Sequence, residues 1–172
     1  VQKTDDQEWY DTWAWAFDTG MRHEGELDSF TIDNVDFGRK TITFWRPKTK
    51  AWSIEMPLTQ RCLEIISRRR KIASARKDRK VFPSSASSRR SNWQKHIAKC
   101  NFNKHFTPYT TRHTFITRLA EAEVSPKVVM EMAGHTCIET TMTYYTKSTS
   151  KLLNNAILAL QNGRNKAEEE ND

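Results

Sequence analysis

The residue types that could do chemistry gather between Arg112 and Tyr145, in the run RHTFITRLAEAEVSPKVVMEMAGHTCIETTMTYY. Arg112 opens it, the Gly134-His135 pair sits in the middle, and Tyr144 and Tyr145 close it. A tyrosine oxygen can act as a covalent nucleophile. A guanidinium is planar, always charged and able to grip two oxygens of a phosphate at once. A histidine can donate to a phosphate oxygen or handle a proton, and a lysine on a reaching loop can protonate a leaving oxygen. Those groups suit the breaking of a phosphodiester, a reaction governed by positioning and charge neutralisation.

The elements that position them are legible. Phe115, Leu119 and Ala122 recur at helical spacing after Arg112. Ser125 is a natural N-cap, Pro126 fits the first helical position, and Val128, Val129 and Met132 give the next apolar stripe. Gly134 stops that helix where a left-handed residue is favoured, which fixes His135 just past a helix end. Thr140 or Thr141 can cap a third short helix carrying the two tyrosines.

Residues 1–20 read as a helix capped at Thr4 or Asp5, with Trp9, Trp13, Ala16 and Phe17 on its apolar face. Residues 29–58 switch to alternation: Phe30, Ile32 and Val35, a turn at Asp36-Phe37-Gly38, then Ile42 and Phe44, a second turn at 48–51, and Ile54 and Met56. Residues 59–80 are helical and basic, with Leu63, Ile66 and Ile72 facing inward; Arg68, Arg69, Arg70, Lys71, Arg76 and Lys77 are candidates for phosphate contacts. Val81-Phe82-Pro83 reads as a short buried segment. Ser91 or Asn92 caps a helix to about Cys100, with Trp93, Ile97 and Cys100 inward. Ser150 caps a last helix with Leu153, Ile157 and Leu160 on its stripe and Gly163 as its stop; 164–172 form a frayed acidic tail.

In order along the chain, TGMRHEGEL, the hairpin PKTKAWSIEMPL, YTTRHTF and AGHTCIETTMTYYT resemble the catalytic boxes of the tyrosine recombinases, the phage-type integrases. The resemblance implies a mainly α domain with a small three-stranded antiparallel sheet. It implies a catalytic set of Arg22, Lys48, Arg112, His135 and a tyrosine nucleophile. Tyr144 and Tyr145 lie at the two family spacings after the histidine, and Tyr145, followed by Thr146, is preferred, with Tyr144 as the fallback. Lys50 is the fallback for Lys48. Glu26 stands for the family's acidic residue, one position later than usual, so Glu24 is an alternative. Tyr109 replaces the usual histidine three residues before the second arginine; a phenol can donate to a phosphate but is no base near neutral pH. His113 is expected to be a buried structural histidine. The resemblance further implies a single catalytic domain over 1–172, the C-terminal part of a longer integrase that lacks here its N-terminal DNA-gripping domain.

With 172 residues, 37% hydrophobic and 28% charged, the chain has the composition of a globular domain. A net charge of +7 favours a polyanionic partner, although a solvated basic surface gives the same number. No apolar run reaches membrane-spanning length, and Cys62, Cys100 and Cys137 are odd in number and spread out, as in reduced intracellular thiols. No zinc spacing or phosphate-gripping glycine loop is present, and a phosphotyrosyl bond would conserve the energy of the cut strand, so no cofactor is expected. The expected partner is double-stranded DNA at attachment sites, engaged by a homo-tetramer of protomers that are monomers as isolated domains. The expected setting is the cytoplasm of a bacterium, with the gene carried by it or by a phage and the protein on the nucleoid. Two alternatives remain open: a non-catalytic DNA-binding module of the same fold, and strand relaxation of the type IB topoisomerase kind.

Overall fold

The computed structural model describes residues 2–100, 102, 105–146, 153, 157 and 158, with side chains from Gln7 onward among these. The helix α1 (Gln2–Thr19) runs through the middle of the domain. It begins before the expected caps, and its most buried apolar residues are Trp15 and Ala16 at 0% exposure, while Trp9, Trp13 and Phe17 are only half-buried. The reason is that α1 is covered on several sides. Trp15 packs on Phe30 and Phe82, whereas Trp13 and Phe17 pack on Trp93, with the Trp13 and Trp93 rings 4.9 Å apart and edge to face. A helix wrapped this way has no single apolar stripe for periodicity to find.

After a turn come α2 (Glu26–Ser29) and a 3-10 turn at Ile32–Asn34, so the alternation expected from Phe30 begins only at Val35. The strands β1 (Val35–Asp36), β2 (Thr41–Ile42) and β5 (Met56–Pro57) form a three-stranded antiparallel sheet in the order β1-β2-β5. Within it, β3 (Trp45–Arg46) and β4 (Ala51–Trp52) make a separate hairpin. Ile42, Phe44 and Met56 are buried as alternation requires, but Ile54 is exposed.

Thr59 caps α3 (Gln60–Arg76) by accepting from the Cys62 N–H. Its buried stripe is Cys62, Ile65, Ile66, Arg69 and Ala73; Leu63 is half-buried and Ile72 exposed, which corrects the expected face. Burial raises the Cys62 thiol to about 11, and all three cysteines are free. Val81 and Phe82 are buried as expected. The helix α4 (Ala86–Lys99) starts earlier than expected because Ser85, not Ser91 or Asn92, caps it through the Ser88 N–H. Trp93 lies in the core, whereas Cys100 is exposed.

The helix α5 (Thr110–Glu121) buries Phe115, Ile116 and Ala120 against α1, leaving Ala122 exposed. The helix α6 (Pro126–Ala133) starts after Ser125 and stops at Gly134 as expected, burying Val129. A further helix, α7, covers 138–146, so Thr140 and Thr141 lie inside it rather than capping it. Leu153, Ile157 and Leu158 are helical and exposed; Ser150, Leu160, Gly163 and the tail lie outside the described residues. No helix among the described residues is long and apolar enough to cross a membrane.

Candidate active site

Gly20 ends α1 at φ +65°, and a Cβ there would sit 2.4 Å from the Phe115 ring. The glycine therefore lets the turn lie directly on α5. That close approach sends the Gly20 carbonyl to Arg112, whose Nη1 donates to it at 2.9 Å. The same turn carries Arg22. Glu26, 1% exposed, accepts from the Arg22 N–H at 2.8 Å and from its guanidinium, and stands 4.0 Å from Arg112 Nη1. Glu26 is thus the carboxylate at these two arginines, whereas Glu24 is exposed and meets Arg90 at 3.5 Å.

A third arginine joins these two. Arg46, on β3, is 2% exposed, and its Nη2 donates to Met132 O at 2.6 Å at the end of α6. Nothing in the local sequence marks it. Burial lowers its pKa to about 10, with Glu26 opposing and Arg112 and Arg22 adding to the shift. Arg112 is also lowered, first by burial and then by Arg22, against Glu26 and Tyr109. Its Nε and Nη2, and the Nε of Arg46, are buried without a hydrogen-bond partner among the described residues. Three guanidiniums thus share one buried carboxylate, an arrangement that an anion would complete.

His135 follows the left-handed Gly134 (φ +63°), its N–H donating to Met130 O at 3.0 Å. Its Nδ1 lies 2.9 Å from the hydroxyl of buried Thr141. Burial first, then Arg112, Arg22 and Arg46, depress its pKa to about 4. The ring is therefore neutral at physiological pH and, with Nδ1 on Thr141, presents Nε2 as a donor or acceptor.

The two tyrosines differ. The Tyr145 phenol donates to Val124 O, and burial raises its pKa. The Tyr144 ring stacks near His135 at 6.4 Å, and its oxygen lies 2.6 Å from His113 Nδ1. Burial and Tyr109 raise its pKa while Arg112 lowers it, so this phenol feels the Arg112 charge. The two candidate nucleophiles thus lie in different surroundings, Tyr144 near His113 and His135 and Tyr145 on the Val124 carbonyl. His113 is exposed rather than buried, which corrects the expectation for it, and Tyr109 stands edge-on to its ring at 4.7 Å.

Lys48 is exposed at the tip of the β3–β4 hairpin (47–50), beside Lys50, which takes the turn's left-handed position at φ +50°. Of the basic candidates, Arg69 is an internal residue: 1% exposed, Nε on Val81 O at 3.0 Å, Nη2 3.3 Å from Glu8. Arg68 is tied to buried Asp11 at 2.7 Å, and Arg70 lies over the Phe37 ring at 4.4 Å. Lys71, Arg76 and Lys77 are exposed.

Helices around a small sheet, with arginines from three separate segments converging near a tyrosine, define a fold shared with solved DNA recombinases. The structure of the Tn1549 transposon integrase in complex with circular intermediate DNA matches with a TM-score of 0.66 at 25% identity, over 81% of this chain and 53% of that one. The crystal structure of XerA recombinase matches with a TM-score of 0.69 at 21% identity, over 83% of this chain and 54% of that one. The profile of the phage integrase family matches residues 3–151, and the chain belongs to that family. The transposase from transposon Tn916 of Enterococcus faecalis is 25% identical over 174 aligned positions, covering 81% of this chain and 42% of that protein. The chain thus spans less than half the length of that relative.

Proposed function

We propose that this chain cuts and rejoins DNA strands in the site-specific recombination of a mobile element, as a tyrosine recombinase. The observation that carries the reading is the trio Arg22, Arg46 and Arg112, whose charge Glu26 balances only in part, beside the Tyr144 phenol. A scissile phosphate supplies the missing negative charge, and the orphan Nε and Nη2 of Arg112 are a ready fork for its non-bridging oxygens. Neutral His135 donates to the same phosphate. Tyr144 attacks phosphorus, a 3′-phosphotyrosyl bond forms, and the 5′-oxygen leaves with a proton from Lys48, brought in by its hairpin. A 5′-hydroxyl of the partner strand then reverses the step. The bond energy is conserved, so neither ATP nor a metal ion takes part. The partner is double-stranded DNA at attachment sites, held by four protomers on the nucleoid of a bacterial cytoplasm; Lys71, Arg76 and Lys77 offer sequence-independent phosphate contacts.

The test is a covalent trap. The full-length protein is expressed in bacteria, the cells are lysed in strong detergent, and DNA still attached to the purified protein is sequenced. We expect attached DNA with wild type and Tyr145→Phe and none with Tyr144→Phe. DNA lost only with Tyr145→Phe would move the nucleophile by one residue. No attached DNA from wild type, despite salt-sensitive binding, would leave a DNA-binding module without catalysis, and relaxation of plasmid without site preference would favour the topoisomerase reading.

A further inference from the structure

We propose that His113 is the base that takes the proton from Tyr144 as it attacks, a catalytic residue beyond the set read from the sequence; the proposal rests on Tyr144 being the nucleophile. His113 Nδ1 lies 2.6 Å from the Tyr144 oxygen, within reach for direct transfer. The phenol needs such a partner, because burial and Tyr109 hold its pKa above the ordinary value. Four other described groups of the site are poorly suited. Arg112 is a permanent cation and Tyr109 is itself a phenol. Glu26 is occupied by Arg22 and lies close to Arg112. His135, whose Nδ1 is engaged with Thr141, has been made a very weak base by burial and the three arginines.

The helix explains the placement. His113 follows Arg112 in α5, about 100° further round the axis, so one helix turn delivers an inward phosphate fork and an outward base. Tyr109, four residues earlier and hence on the same face, stands edge-on to the imidazole at 81° and restricts its plane. In the Nε2–H tautomer, Nδ1 accepts the phenolic hydrogen bond. As the Tyr144 oxygen bonds to phosphorus, its O–H bond breaks and the proton passes to Nδ1, giving an imidazolium at the exposed edge of the site. The bond from phosphorus to the 5′-oxygen breaks in the same displacement. In the rejoining step the imidazolium returns the proton to the departing tyrosine.

The experiment uses the full-length protein and a nicked duplex carrying the sequence recovered from the covalent trap, with cleavage measured in a single turnover. His113→Gln keeps a hydrogen-bonding side chain on an exposed helix face but cannot hold the proton. We expect it to bind the duplex as wild type does and to cleave about 10²-fold more slowly or worse, the lower end of the range for a lost general base. We expect imidazole to restore part of the rate of His113→Gly, because the site is open to solvent, and to leave Tyr144→Phe inactive. Wild-type cleavage by His113→Gln overturns the proposal, as does a slow His113→Gly that imidazole does not help. If Tyr144→Phe still forms the covalent product, or wild type forms none, the assignment of the nucleophile fails and the proposal falls with it. Loss in Tyr144→Phe with full activity in His113→Gln removes the proposal alone.

Discussion

Gly134→Ala should cost far more than a helix-end substitution ordinarily does. At φ +63° an alanine carries the left-handed penalty, about 1–2 kcal/mol. The larger effect comes from across the domain. An added Cβ would lie 1.4 Å from Arg46 Nη1, 2.5 Å from its Cζ and 2.9 Å from its Cδ. The end of an arginine can usually swing aside, but this one is 2% exposed and bonded to Met132 O at 2.6 Å. Displacing it gives up a charged hydrogen bond worth about 1.5–3 kcal/mol. The sum is roughly 3–5 kcal/mol, or about 6–20 °C in Tm for a domain of this size. Urea unfolding followed by tryptophan fluorescence measures it. In an Arg46→Met background the cost should shrink to the left-handed penalty alone, a non-additivity expected only of groups that touch. A loss under about 1 kcal/mol in the wild-type background, or equal losses in both, would refute the reasoning.

Glu26→Gln removes the carboxylate that Arg22 and Arg112 share and should destabilise by about 3–5 kcal/mol; added sulfate should recover more stability in the variant than in wild type. His135 should stay neutral to about pH 4, which an NMR titration of its ring would check. Because its folded pKa lies below the unfolded 6.5, the unfolded chain binds more protons, so its contribution to stability falls as pH drops from 6.5 towards 4 and is absent from His135→Gln. Replacing Lys71, Arg76 and Lys77 with Gln should lower the slope of log binding constant against log salt by about 0.9 for each phosphate no longer neutralised, with Tm unchanged; an unchanged slope would place the DNA on another face.

What was legible in the sequence is what local chemistry decides. Pro126 and Gly134 bound α6 because such signals act within a turn of themselves, although the Ser125 side chain makes no capping hydrogen bond, and the same glycine placed His135 correctly just past a helix end. Tyr144 and Tyr145 could not be separated this way. Neighbours on a helix differ by about 100° in direction, and spacing from His135 fits either. What differs between them is the partner of each phenol, Val124 or His113, which lie 21 and 31 residues away in sequence. Arg69 was hidden in a basic run that reads as a solvated face. Its register is the signal that could have found it, since Cys62, Ile65, Ile66, Arg69 and Ala73 follow a helical stripe with an arginine in the apolar row.

Arg46 had no such register to betray it, and the reason bears on how the site works. It sits between the exposed Trp45 and the hairpin tip, where a surface arginine would be unremarkable, and its partner is a carbonyl 86 residues further on. That hydrogen bond joins the hairpin bearing Lys48 to the helix end bearing His135. It also adds a third cation to a pair that Glu26 alone must balance. Burying that much like charge opposes folding, and the domain tolerates it with arginine amines left unbonded. Tolerance of that kind is intelligible if the charge is complete only when an anion enters. Burial first, and the same arginines second, hold the His135 pKa down to about 4, which makes that imidazole a very weak base. In the proposed mechanism basicity then comes from outside the arginine cluster, at the exposed edge of α5 where His113 meets Tyr144.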